Sequence, residues 1–145
     1  MNSSPATSLS AQAEEIARRA HAGQFRRDGL TPYIAHPAGV VARVGDCETR
    51  RAVAWLHDVL EDTAETPESL AAGGMPADVI DAVLCLTRRP EVSYEDYLID
   101  VRRNPVARAV KIADMLHNLS DHPSTKQIRK YAAALLRLLE ADKED

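Results

Sequence analysis

Apolar residues recur three and four positions apart along this sequence, the spacing of a single helix face. Leu9, Ala13, Ile16, Ala17 and Ala20 mark the first such face, with Ser8 or Ser10 as the capping candidate and Gly23 as the stop. Pro37 is placed to open a second helix carrying Val40, Val41 and Val44, and a third is predicted from about Glu48 to Leu60. Thr66-Pro67 starts a short helix that Gly73-Gly74 ends, and Pro76 opens another with Val79, Ile80, Val83, Leu84 and Leu86 inward. Ser93 with Asp96 reads as a capping box. Asn104-Pro105 caps a helix that is apolar around much of its circumference and therefore largely buried. Ser124 caps a last amphipathic helix with Ile128, Tyr131, Leu135 and Leu138 on one side. The pattern predicts an all-α domain of about eight helices over residues 9–141, with 1–8 and 142–145 as flexible tails.

Composition sharpens this picture. The chain has 145 residues, enough for one domain with a substantial core, and its apolar content is 45% with only 4% aromatic. Those apolar residues are mostly Ala, Leu, Val and Ile, which suit close helix-on-helix packing. A net charge of −4 offers nothing global to a nucleic acid, so any phosphate specificity must come from local cations or a metal. Cys47 and Cys85 form no Cys-x-x-Cys pair and are expected to be reduced core thiols. No apolar run approaches a membrane span and the N-terminus lacks the order of a signal peptide, so a cytoplasmic protein is expected.

The candidate chemistry centres on Trp55-Leu56-His57-Asp58-Val59-Leu60-Glu61-Asp62-Thr63, where four ionisable side chains lie within six residues. Neighbouring side chains on a helix diverge by about 100°, close enough for His57 and Asp58 to grip one ion. Two ligands do not complete a site. His36, in Ile34-Ala35-His36-Pro37, and Asp114, in the buried helix at Lys111-Ile112-Ala113-Asp114, are the candidates for the rest, because a buried carboxylate needs a partner or a metal. Lys111 and Asn118 bracket Asp114 by three and four residues and are candidate substrate contacts. Arg26 and Arg27, in a loop that Gly29 and Pro32 keep irregular, are candidates for a phosphate clamp. A solvated loop explains the two arginines equally well. His21 is assigned a packing or capping role, His117 stays ambiguous, and Tyr94, Tyr97 and the Arg88-Arg89 pair are not placed.

Four blocks in order, Ala20-His21-Ala22-Gly23-Gln24-Phe25-Arg26, Pro32-Tyr33-Ile34-Ala35-His36-Pro37, His57-Asp58-Val59-Leu60-Glu61-Asp62-Thr63 and Lys111-Ile112-Ala113-Asp114-Met115-Leu116-His117-Asn118, make the chain resemble the HD-domain metal-dependent phosphohydrolases. Within them it is most similar to the hydrolase domain of Rel/Spo-type alarmone enzymes and their small stand-alone relatives. The resemblance implies an HD fold with one divalent ion, typically manganese, on His36, His57, Asp58 and Asp114. It implies that Glu61 and Asp62 handle the attacking water, and that Arg26, Arg27 and Asn118 contact the nucleotide. The ligand types alone suit iron or zinc as well. One departure is visible: the long alarmone enzymes follow His-Asn with an Arg-Thr segment near the base, where this chain has Leu119-Ser120-Asp121.

Three functions follow as expectations. The first is hydrolysis of the 3′-diphosphate of guanosine tetra- or pentaphosphate with release of pyrophosphate, without the synthesis carried out by longer enzymes. The second keeps the metal and moves to an adenine alarmone or another phosphorylated nucleotide. The third is a catalytically silent, metal-containing nucleotide-binding domain, against which the spare carboxylates Glu61 and Asp62 argue.

Overall fold

Ala52, Val53, Ala54, Trp55 and Leu56 follow one another in sequence and all are buried, so the helix that carries them has neighbours on every side. The computed structural model describes residues 7–140, and among them the regular structure is all helical apart from a single bridge between Phe25 and Pro32. In chain order these are α1 (Leu9–Ala20), α2 (Ala35–Val41), α3 (Glu48–Leu56), α4 (Val59–Asp62) and α5 (Pro67–Ala72). They continue as α6 (Ala77–Leu86), α7 (Tyr94–Arg103), α8 (Pro105–Leu119) and α9 (Thr125–Leu139). The buried α3 is flanked by α1, α2, α6 and α8, while α7 and α9 pack on α8 and on each other. None of these helices is long and apolar enough to cross a membrane.

Caps account for most boundaries. Ser8 Oγ accepts the Ala11 N–H at 3.2 Å, which selects it over Ser10 and gives it a fixed place just outside α1. Apart from Thr7 and Ser8, the tails expected at 1–8 and 142–145 lie outside the described residues. Ser10 instead joins α1 to α3, its N–H and hydroxyl donating to Glu48. Thr66 and Ser124 form full capping boxes with Ser69 and Gln127. Ser93 accepts only the Asp96 N–H: half of the box is made. Asn104 Oδ1 accepts from Ala107 N at 3.0 Å, with Pro105 in the first turn where no N–H is needed.

Three expectations are corrected. The helix predicted from Glu48 to Leu60 stops at Leu56 and restarts at Val59, so that nine helices among the described residues answer to the expected eight or so. Asp58, at φ −106° and ψ −3°, sits close to the sparsely populated bridge region, and the ring of His57 turns back to the Ala54 carbonyl at 2.7 Å. That bond satisfies a carbonyl the broken helix leaves free. The second helix begins at Ala35 rather than at Pro37, because its first-turn N–H groups reach back to Pro32 and Tyr33 and the missing N–H of Pro37 is not required. Cys47 is exposed, at the cap position of α3, and is not a core thiol; Cys85 is half-buried.

Leu56 has no exposed surface and sits beside the residue where α3 breaks. Leu56→Ala is expected to lower the unfolding free energy by about 2–5 kcal/mol, read from the urea midpoint at unchanged m-value.

Candidate metal centre

Three chain segments deliver four side chains to one place. His36 comes from the first turn of α2, His57 and Asp58 from the break between α3 and α4, and Asp114 from the middle of α8. His36 Nε2 lies 2.7 Å from Asp114 Oδ1, and His57 Nε2 lies 3.5 Å from the same oxygen. One donor atom each from His36, His57 and Asp114 falls within 4.8 Å of the others, all three residues being buried. Asp58 Oδ2 is 3.1 Å from His57 Nε2 and 3.9 Å from His36 Nε2, and it accepts the Tyr33 hydroxyl.

The protonation of this group follows from its surroundings. His57 Nδ1 donates to the Ala54 carbonyl, which leaves the buried Nε2, without a hydrogen-bond partner, as the nitrogen open to a proton or a cation. Burial pushes the His57 imidazole down, but Asp58 and Asp114 outweigh burial and hold it well above its ordinary value. The field that would draw a proton to this point draws a metal cation equally. Asp114 is pushed up by burial yet held well below the carboxylate range by Lys111 and His36, so it is an anion. Two imidazole nitrogens and ionised carboxylates, one nitrogen unpartnered, fit a divalent cation.

The remaining candidates divide between two cavities. A larger one of about 710 Å³ is lined by Arg26, Arg27, Asn118 and Asp121 together with His36, Asp58 and Asp114. Arg26 is held there by Asp121, Nη2 to Oδ2 at 3.0 Å. A smaller one of about 180 Å³ adjoins His57 and Asp58 and is lined by Glu61, Arg88, Tyr94, Tyr97, Lys111 and Lys130 among others. Arg88 and both tyrosines thus reach the site, whereas Arg89 faces a separate groove with Cys85 and Arg103. Asp62 lines neither of the two cavities at the centre. Burial raises the Glu61 carboxyl against a hydrogen bond from the Arg88 N–H, and burial and Asp58 raise that of Asp62. Lys111 donates to Asp114 Oδ2 at 3.0 Å and Asn118 to Oδ1 at 3.3 Å, so both first serve to hold Asp114.

Three side chains at the centre, His117 among them, receive no definite role from the sequence. Tyr33 supports Asp58, and its own ionisation is suppressed by burial and by that carboxylate. His117 places Nδ1 2.7 Å from His36 Nδ1, and burial, with His36 and Arg26, takes it down to about 4, so its ring is neutral. Its position three residues after Asp114, on the same helix face, was the available signal. Tyr131 lines both cavities. His21 packs as expected: its ring lies 4.7 Å from that of Tyr33 and its Nδ1 meets Gln24 Oε1 at 2.8 Å.

No family model matches the chain. Over 137 residues, 85% of this chain, it is 34% identical to a probable GTP pyrophosphokinase of Mycobacterium leprae. Over 117 residues, 72% of the chain, it is 36% identical to a guanosine-3′,5′-bis(diphosphate) 3′-pyrophosphohydrolase of Haemophilus influenzae. The chain is homologous to a segment of the Rel/Spo (p)ppGpp enzymes. It spans 17% of the length of each of these two Rel/Spo relatives, which are named for opposite reactions. A solved structure, described as a metazoan orthologue of SpoT that hydrolyses ppGpp, superposes with a TM-score of 0.73 at 22% identity. The match covers 96% of this chain and 88% of that one, and it establishes the all-α fold.

A cation held by folded protein alone stabilises the fold by mass action. Manganese at about a hundred times its Kd should add about 2.7 kcal/mol to chelator-treated protein, seen as a raised Tm. His57→Ala, which removes the unpartnered nitrogen, should abolish the rise; an equal rise in both proteins would place the cation elsewhere.

Proposed function

We propose that this Rel/Spo homologue is a metal-dependent hydrolase that removes the 3′-diphosphate of a guanosine tetra- or pentaphosphate alarmone as pyrophosphate. The observation that carries this reading is a carboxylate beyond the four metal candidates, the exposed Glu61, which accepts the Arg88 N–H on the wall of a cationic cavity that adjoins His57 and Asp58. A structural metal site has no use for such a group. His36, His57, Asp58 and Asp114 would hold the ion, to which we assign manganese, although nitrogen and oxygen donors also accept iron or zinc. When bound, a divalent cation supplies Lewis acidity for water and for a phosphoryl oxygen.

The chain's own residues supply the rest. Glu61, with Asp62 behind it on α4, orients the attacking water and takes its proton, and a carboxyl raised by burial is the stronger base. The water oxygen bonds to the phosphorus attached to O3′, the P–O3′ bond breaks, and O3′ leaves as the nucleoside hydroxyl with the proton that Glu61 took from the water. Arg26, Arg27, Lys111 and Asn118 surround the phosphates with donors that the net charge of −4 does not provide. A phosphate oxygen reaching Arg26 replaces Asp121 as its partner. A freely diffusing cytoplasmic nucleotide, rather than a nucleic acid or a membrane, is the partner that goes with this reading.

A second reading keeps the centre and changes the base. It is favoured by Asp121, which lines the larger cavity where the long alarmone enzymes carry Arg-Thr. Guanine and adenine 3′-diphosphates, tested side by side with pyrophosphate and orthophosphate measured separately, decide between the two. Pyrophosphate from the guanine compound is expected, and orthophosphate as sole product would reject the diphosphate chemistry.

Two variants test the roles. Asp114→Ala should abolish turnover and leave helical circular dichroism intact. Glu61→Gln should retain manganese and lower kcat about 10²- to 10⁴-fold. Because the base acts deprotonated, wild-type kcat/KM should fall as the pH drops through a value above the ordinary glutamate pKa, and Glu61→Gln should lose that acid limb. An unchanged acid limb would assign the proton transfer to another group.

A further inference from the structure

The two histidines at the centre are oriented in different ways. His57 Nδ1 is held by the backbone carbonyl of Ala54, which any residue at that position provides. His36 Nδ1 is held by a side chain, His117, at 2.7 Å. Two imidazoles that meet nitrogen to nitrogen at this distance share one hydrogen, so one ring donates and the other must be bare.

We propose that His117 is a positioning residue that fixes the tautomer of His36, accepting its Nδ1–H and leaving His36 Nε2 bare for the cation. The inference rests on the metal-site reading above. A metal-bound imidazole carries its hydrogen on the nitrogen away from the ion, and the group accepting that hydrogen sets both ring orientation and ligand basicity. Here His36 Nε2 faces Asp114 Oδ1 at 2.7 Å, the side on which the metal-site reading puts the cation, so in the loaded protein the nitrogen turned to His117 is the one that carries the hydrogen. His117 then keeps its own hydrogen on Nε2.

The structure reserves space for this ring. A Cβ built on Gly39 would meet His117 Cδ2 and Nε2 at 2.4 Å, well inside contact distance, so His117 lies flat on the one helical position of α2 with no side chain. His36 and Gly39 are three residues apart on α2, and Asp114 and His117 three apart on α8. One pair of facing helix turns therefore supplies a ligand each, together with the acceptor and the gap that receives it. The rings of His36 and His117 are 4.9 Å apart, close enough that neither reorients alone.

Full-length His117→Asn, His117→Leu and Gly39→Ala variants test this. Asparagine places Oδ1 near the former Nδ1 and still accepts a hydrogen; leucine fills similar space and accepts nothing; alanine at 39 displaces the ring. Manganese affinity, measured by calorimetry at one pH, should fall about 10- to 100-fold in His117→Leu and Gly39→Ala. His117→Asn should stay within about threefold of wild type, a rescue that a merely space-filling role would not give. In the zinc-loaded wild type, long-range ¹H–¹⁵N spectra should show His36 protonated at Nδ1. Wild-type affinity in His117→Leu, equal loss in His117→Asn and His117→Leu, or an unprotonated His36 Nδ1 would overturn the proposal. If His117→Leu does not fold, the asparagine variant and the wild-type spectrum still decide. Failure of the wild-type protein to bind any divalent ion would instead overturn the metal-site reading itself.

Discussion

Two buried or half-buried carboxylates, Asp58 and Asp114, are brought to the same two imidazoles, and this concentration of negative charge is the constraint on which the architecture depends. Each carboxylate raises the ionisation cost of its neighbour, and burial adds to it, yet both are held ionised by the cationic and hydrogen-bonding groups around them. Lys111 and Asn118 cover one carboxylate and Tyr33 the other. What is left facing inward is the unpartnered His57 Nε2 among ionised oxygens, an arrangement that a divalent cation completes.

The fold serves that constraint by keeping its three suppliers rigid. The C-terminal half of α3, Ala52 to Leu56, is buried on all sides and ends at the centre; α2 and α8 pack on α3 and on each other. Small residues make the close approach possible: Ala52 and Ala54 on α3, Ala113 on α8, and Gly39 beneath the His117 ring. The break after Leu56 is part of the same design. It frees a carbonyl to orient His57 and puts Asp58 into a backbone conformation that a continuous helix does not offer. Cationic side chains of the two cavities sit outside these three suppliers, in the loop of Arg26 and Arg27 and on α9 at Lys130.

The all-α class and most helix ends were legible because they rest on local rules: apolar spacing and the cap residues Ser8, Thr66, Asn104 and Ser124. The convergence of His36, His57 and Asp114 was legible for a different reason, since buried charge implies company. Elsewhere local rules ran out. Apolar spacing passes unbroken from Val53 to Leu60 and gives no sign of the break at His57-Asp58. Arg26 and Asp121 are 95 residues apart, so their pairing belongs to no local pattern. Tyr33 and His117 look like ordinary core and surface residues until the partners they meet, Asp58 and His36, are brought across from other segments.

The central claim is that side chains from α2, the α3–α4 break and α8 share one divalent cation. X-ray absorption at the manganese edge of the loaded full-length protein tests it most directly. A first shell of nitrogen and oxygen, with the outer-shell scattering of two imidazole rings, is the predicted spectrum. A shell of oxygen alone, without imidazole scattering, would contradict the claim.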